Sequence, residues 1–190
     1  MSRLIVPLNE RDHIHGLDTA LVTLVEYGDY ECPHCGAAYP IVKRIEKKMG
    51  DNLRFVFRNF PLTESHPHAL HAAQAAEAAS LQDKFWAMHN ALFENQEALE
   101  DEDLYGYAEE LKLDIKKWTR DFSSEAVVDK IEKDFNSGIR SGVNGTPTFF
   151  INGVRHDNSF EYSILLAALQ EELAAQKQQH ARPAKAGRGK

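Results

Sequence analysis

Cysteine is scarce in this sequence: the 190 residues contain two, both inside Cys32-Pro33-His34-Cys35. That excludes a disulfide framework, because a bridge closing so short a loop restrains little of the unfolded chain. A chain of this length also buries enough core to need no staple. Excess positive charge is lacking too. Lys and Arg number 22 against 29 Asp and Glu, for a net charge of −7, so nucleic acid is not an expected partner, since phosphate binding needs a basic face. Long hydrophobic runs are missing. The apolar stretch Leu4-Ile5-Val6-Pro7-Leu8 breaks at Asn9-Glu10-Arg11-Asp12, short of a secretory segment, and nothing approaches transmembrane length. The expectation is a cytoplasmic protein without stable membrane insertion.

What is present has an order. Residues 20–27 are apolar and β-branched and read as a buried strand. After the two cysteines, Ile41, Val42, Ile45 and Met49 recur at helical spacing up to Gly50, a plausible C-cap. Residues 53–58 give the next strand, ended by Asn59-Phe60-Pro61. From 62 to 141 the pattern is helical throughout, with a last helix tracing Val127, Val128, Ile131, Phe135 and Ile139 along one face and Asp121 or Ser123 as its cap. Strand character returns at Thr148-Phe149-Phe150-Ile151, Asn152-Gly153 signals a hairpin, and a helix follows from about Phe160 to Ala175. The layout is α/β: an N-terminal half at 1–61, a helical insertion at 62–141, a C-terminal half at 142–176 and a basic tail at 177–190, expected to be disordered.

The chemistry sits where strand meets helix. A thiol at the opening of a helix faces unpaired N–H groups and the positive end of the dipole, which favours the thiolate. Cys32 is therefore the candidate nucleophile. Cys35, one turn further in, is shielded and would resolve a mixed disulfide by attacking Cys32. Pro33 suits the first turn, where its missing N–H is no loss. His34 adds a donor, and a cation when protonated, close to the Cys32 sulfur. Asp29 and Glu31 would oppose that thiolate. Half of a zinc site looks the same, but there are no further cysteines, and His66 and His71 lie about 30 residues beyond Cys35, where a finger uses about a dozen. No metal is expected. His66, His68 and His71 read as surface or packing histidines, and Phe85, Trp86, Met88 and Phe93 as core of the insertion.

Thr146-Pro147 is the second signal. A proline entering a strand that pairs near the cysteines is a place where a cis bond would leave the Thr146 backbone open to a substrate. Pro33, Thr146 and Pro147 are the candidate substrate-binding positions.

The segments Val25–Cys35 and Gly145–Gly153 together resemble DsbA-like proteins of the thioredoxin superfamily, over roughly residues 18 to 176. The resemblance implies a thioredoxin fold with an all-helical insertion between its βαβ and ββα halves and a cis Thr146–Pro147 bond. It also implies an active-site groove roofed by the insertion, and thiol–disulfide oxidoreductase activity on protein or peptide disulfides and thiols, with glutathione as a further candidate. No cofactor is implied. Glu26, six residues before Cys32, matches the family's buried acid, whose raised pKa suits proton exchange with Cys35. The chain looks more like the cytoplasmic-type members, including domains appended to sodium–proton antiporters. Two competing functions remain. A glutathione-dependent transferase or isomerase on the same scaffold needs one nucleophile where this motif supplies two, and a redox-regulated binding module would use the groove without catalysis.

Overall fold

A computed structural model describes residues 2–181; the basic tail beyond 181 lies outside the described residues. The chain runs β1 (His13–His15), β2 (Val22–Gly28), α1 (Pro33–Met49), β3 (Leu53–Asn59), then the helices α2 (Ala69–Ser80), α3 (Phe85–Glu94), α4 (Asp101–Glu110), α5 (Ile115–Phe122) and α6 (Glu125–Arg140). It closes with β4 (Thr148–Ile151), β5 (Val154–His156) and α7 (Tyr162–Ala181). The strands form one mixed sheet in the order β1-β3-β2-β4-β5, with β2 parallel to β3 and the other neighbours antiparallel. This is the α/β thioredoxin fold, with five helices inserted between β3 and β4.

The central strand explains its own composition. All seven residues of β2 are buried, so it reads as a continuous apolar run instead of an alternation. Its pleat still sorts the side chains. Val22 and Leu24 pack with Cys35, Ala38, Val42 and Ile45 of α1, whereas Val25 and Tyr27 pack on the other face with Val56, Phe60 and Phe150. Glu26 shares the parity of Val22 and Leu24, which aims it at the α1 side. In the insertion, the alanines of α2 let α3, α4, α5 and α6 all pack against it. The Asn152–Gly153 turn has positive φ at both residues (45° and 79°), as a two-residue hairpin loop requires.

Four details differ from the sequence reading. β1 carries no sequence signal, since its three residues, His-Ile-His, have no usable period, and it exists because Ile14 pairs opposite Val56 at the sheet edge. The cap of α6 is Ser124, whose side chain accepts from Val127 N; Asp121 is taken by Arg120 and Ser123 closes α5. Ile139 is 53% exposed, because at about 100° per residue it has rotated away from the Val127–Ile131 face. The tail does not begin at 177: the run from Leu173 to Ala181 is rich in good helix formers, and α7 continues through Ala181.

Candidate active site

Cys32 is the N-cap of α1, in extended conformation (φ −71°, ψ 121°), with Pro33 in the first turn. Its carbonyl accepts from Gly36 N (3.0 Å) and its own N–H donates to Asp29 O (3.2 Å). Both cysteines are free thiols. The Cys32 Sγ donates to Thr146 O at 3.4 Å, and Asp29 N donates to Cys35 Sγ at 3.4 Å. The loop before β4 therefore meets the helix start at the sulfur, and the Thr146–Pro147 bond is cis. Cys35 is fully buried, and Cys32 is itself only 3% exposed. Pro33 and His34 are exposed.

The two thiols are driven in opposite directions. Cys32 falls from an ordinary 9.0 to about 5, chiefly because the Cys35 thiol hydrogen-bonds to it. Burial works against this; the Thr146 side chain and the backbone N–H groups of Cys35 and His34 add to it. The Thr146 hydroxyl oxygen is buried and has no hydrogen-bond partner of ordinary length. Cys35 is pushed well above the thiol range by burial, by donating to Cys32 and by the charges of Glu26 and Cys32. The expected part of His34 is thus corrected. It serves the sulfur through its backbone N–H, because the first helical turn points that group at the N-cap while its ring stands out in solvent.

Glu26 is 3% exposed. Its pKa rises from 4.5 to about 8, first through burial, then through Cys32 and Glu46. Its Oε1 has no hydrogen-bond partner, and it lines a small cavity of about 10 Å³ together with the exposed Lys43 and the half-buried Glu46.

Sequence reasoning missed the supports of this site. Gln96, in the insertion, donates through Nε2 to Tyr30 O (2.6 Å) and Cys32 O (3.1 Å). A Cβ on Gly36 would overlap Gln96 Oε1, so the glycine after Cys35 was the available hint. The carboxylates of Asp29 and Glu31 are committed to other partners. Asp29 accepts from Glu31 N, Leu62 N and His66 Nδ1, each at 2.8 Å, and Glu31 Oε2 accepts from His68 N at 2.6 Å. His71 is engaged by Asp101, so His66 and His71 are committed separately. Among the described residues no group of three or more His, Cys, Asp or Glu is arranged to hold a metal. A cavity of about 600 Å³ opens elsewhere, between β1, α2, α3 and α6, and none of its lining residues belongs to the cysteine or proline loops. What the insertion brings to the cysteine loop is Gln96, together with Leu62, His66 and His68 on the two acids.

With that geometry in place, the comparisons agree. A family model described as Thioredoxin matches residues 8–171. The chain is 44% identical over 172 residues to the Na(+)/H(+) antiporter NhaA 1 of Salinispora arenicola, a match covering 90% of this chain and 26% of that protein. It spans about a quarter of the length of the curated relatives it matches. Among solved structures it is similar to a thioredoxin-like oxidoreductase from Silicibacter pomeroyi (28% identity, TM-score 0.78, covering 90% of this chain and 94% of that one). It is also similar to oxidised BdbD from Bacillus subtilis (26%, 0.78, 91% and 98%). Wolbachia pipientis alpha-DsbA1 shares the fold at 21% identity (TM-score 0.79, covering 93% and 98%). The chain belongs to the thioredoxin family.

Proposed function

We propose that this protein exchanges disulfides with protein or peptide thiols, with Cys32 as nucleophile and Cys35 as resolving thiol. The observation that carries the reading is the opposed pair of thiols: one lowered to about 5 at a helix start, one buried and held protonated, hydrogen-bonded to each other. In the reductive direction the Cys32 thiolate attacks a substrate disulfide, whose S–S bond breaks, and the leaving sulfur takes up a proton. The mixed disulfide removes the negative charge from Cys32. That deletes one of the causes holding Glu26 up, so its carboxyl ionises more readily at the step that needs a base. Glu26 takes the proton of Cys35, Cys35 attacks the Cys32 sulfur, and the second substrate sulfur leaves. The substrate has gained two electrons and the enzyme holds a Cys32–Cys35 disulfide.

The carbonyl of Thr146, now bonded to the Cys32 thiol, and the faces of Pro33 and Pro147 are the proposed substrate contacts. Insulin reduction tests the reading: wild type should precipitate the B chain with dithiothreitol as recycling reductant, and Cys32→Ser should not. Equal activity in both would remove Cys32 from the chemistry and favour a binding module. The antiport named for the relatives is not proposed for this chain. Among the described residues no helix is long and apolar enough to cross a membrane. The proposed location is the cytoplasm, whose reducing poise keeps such a pair largely as dithiol. Trapping the thiols in growing cells with a mass-shifting alkylating reagent checks this, and a mainly oxidised pair would count against it.

A further inference from the structure

We propose that His66, clamped by the buried Asp29 carboxylate, is the cation set against the Cys32 thiolate, and that it couples the redox equilibrium of the dithiol to pH. The inference rests on the exchange activity above and adds a positioning residue from outside the motif.

The geometry begins at Asp29. This residue is fully buried and tied to both cysteines by its backbone: its carbonyl accepts from Cys32 N and its N–H donates to Cys35 Sγ. Its side chain reaches the segment between β3 and α2. There one oxygen takes Glu31 N, and the other takes Leu62 N and His66 Nδ1. The His66 ring, 19% exposed, is thereby fixed to the loop that carries Cys32. Glu31, the other acid of that loop, is occupied by His68 N. The arrangement answers the charge problem in the sequence. Two acids flank the nucleophile; one is anchored on a backbone N–H, and the other is matched by an imidazole.

Electrostatics follows the geometry. Burial draws the His66 pKa down, but its bond to Asp29 and the charges of Asp29, Cys32 and Glu31 outweigh this, and the net direction is up. Of the charged groups around it, these act on it most strongly. The coupling is reciprocal: if the Cys32 thiolate strengthens proton binding at His66, protonated His66 strengthens the thiolate by the same factor. Reduction by glutathione then balances as follows. Two glutathione thiols supply two electrons and join as glutathione disulfide, and the Cys32–Cys35 bond breaks. Of the two protons released, one goes to Cys35, and the other goes to His66 at pH values between its pKa in the disulfide form and its pKa in the dithiol form, and to solvent elsewhere. Removing the thiolate by oxidation should therefore lower the pKa of His66.

The test uses the whole protein. His66→Gln keeps a donor for Asp29 but carries no charge, so a purely structural role would leave the thiolate untouched. The expected result is that ultraviolet titration of the Cys32 thiolate moves up by about half a unit to one unit. The equilibrium constant with glutathione should then change about three- to tenfold at neutral pH, in the direction of a weaker oxidant. Superimposable titrations and equilibria in wild type and variant would overturn the proposal. A second measurement needs no variant. NMR titration of the His66 ring in wild type should give a lower pKa in the disulfide form than in the dithiol form, and equal values would overturn it. Failure of wild type to exchange with either glutathione or insulin is a different result, which would remove the function itself.

Discussion

At Cys32 the main stabiliser of the thiolate is the Cys35 thiol, ahead of the backbone N–H groups at the helix start. The lowered pKa therefore belongs to the dithiol and disappears with the disulfide. The thiolate stabilises the folded, reduced protein above the ordinary thiol pKa, and that stabilisation is lost as pH falls through about 5. Stabilising the reduced form makes the disulfide a better oxidant. Glu26 has the opposite sign. Its folded pKa of about 8 lies above the ordinary 4.5, so between those values the folded protein binds more protons than the unfolded one, and stability falls as pH rises through that window. For a fully buried carboxyl the change from one end to the other is roughly 3–4 kcal/mol. Glu26→Gln should therefore gain on wild type between pH 4.5 and 8 in urea unfolding of the reduced protein, while its mixed disulfide resolves at least about tenfold more slowly. Parallel stability profiles would show that the carboxyl ionises freely. Resolution at the wild-type rate from about pH 6 to about pH 8 would end its role as base.

At the scale of elements, the site depends on how α1 meets the insertion. Gln96 donates to Tyr30 O and gives Cys32 O a second donor beside Gly36 N, and it does so from the space a Gly36 side chain would occupy. Gly36→Ala should evict the Gln96 side chain and destabilise by about 1–2 kcal/mol through the two lost bonds. In a Gln96→Ala background the same substitution should instead stabilise by up to about 1 kcal/mol, because alanine is the better helix former. A double-mutant cycle measured by denaturation reads that reversal directly, and additive effects would mean that Gln96 and Gly36 do not compete for the space. This contact also marks where sequence reading stops. The apolar run of β2, the helical spacing of Ile41 to Met49 and the turn at Asn152-Gly153 all carry local patterns, so strand, helix and hairpin were legible, whereas Glu26 was singled out only through the family resemblance. Gln96, the Asp29–His66 pair and β1 join residues far apart in the chain. No period or spacing encodes them; they follow only once the sheet order is fixed.

The whole molecule is held by a buried charge on the face opposite the thiols. Arg58, next to the end of β3, is 1% exposed. Its guanidinium binds Asp12 through Nε and Nη2 (2.7 and 2.9 Å), and also reaches Val6 O, Pro7 O and the Tyr27 hydroxyl, each at 3.0 Å. Tyr27 in turn bonds Ser137 of α6. The N-terminal strip, two strands and the last helix of the insertion therefore share one cation, kept charged against the pull of burial by Asp12 and Tyr27. The strip is part of the domain, and the family match from residue 8 includes its Asp12. A pair of this kind adds little beyond what well-packed apolar residues would, but breaking one side of it leaves an uncompensated charge and costs about 3–5 kcal/mol. Asp12→Ala should therefore lower the melting temperature by roughly 10 °C, at about 2–4 °C per kcal/mol for a chain of this size. The Cys32 thiolate titration should stay where it is, because Asp12 and Arg58 sit behind the sheet from α1. Replacing both partners, Asp12→Ala with Arg58→Met, should recover a good part of the loss, since no charge is then stranded. Calorimetry on the single and double variants decides it: if Asp12→Ala melts with wild type, the strip is held by something other than Arg58, and if the double variant is worse than the single, the pair is a net stabiliser in its own right.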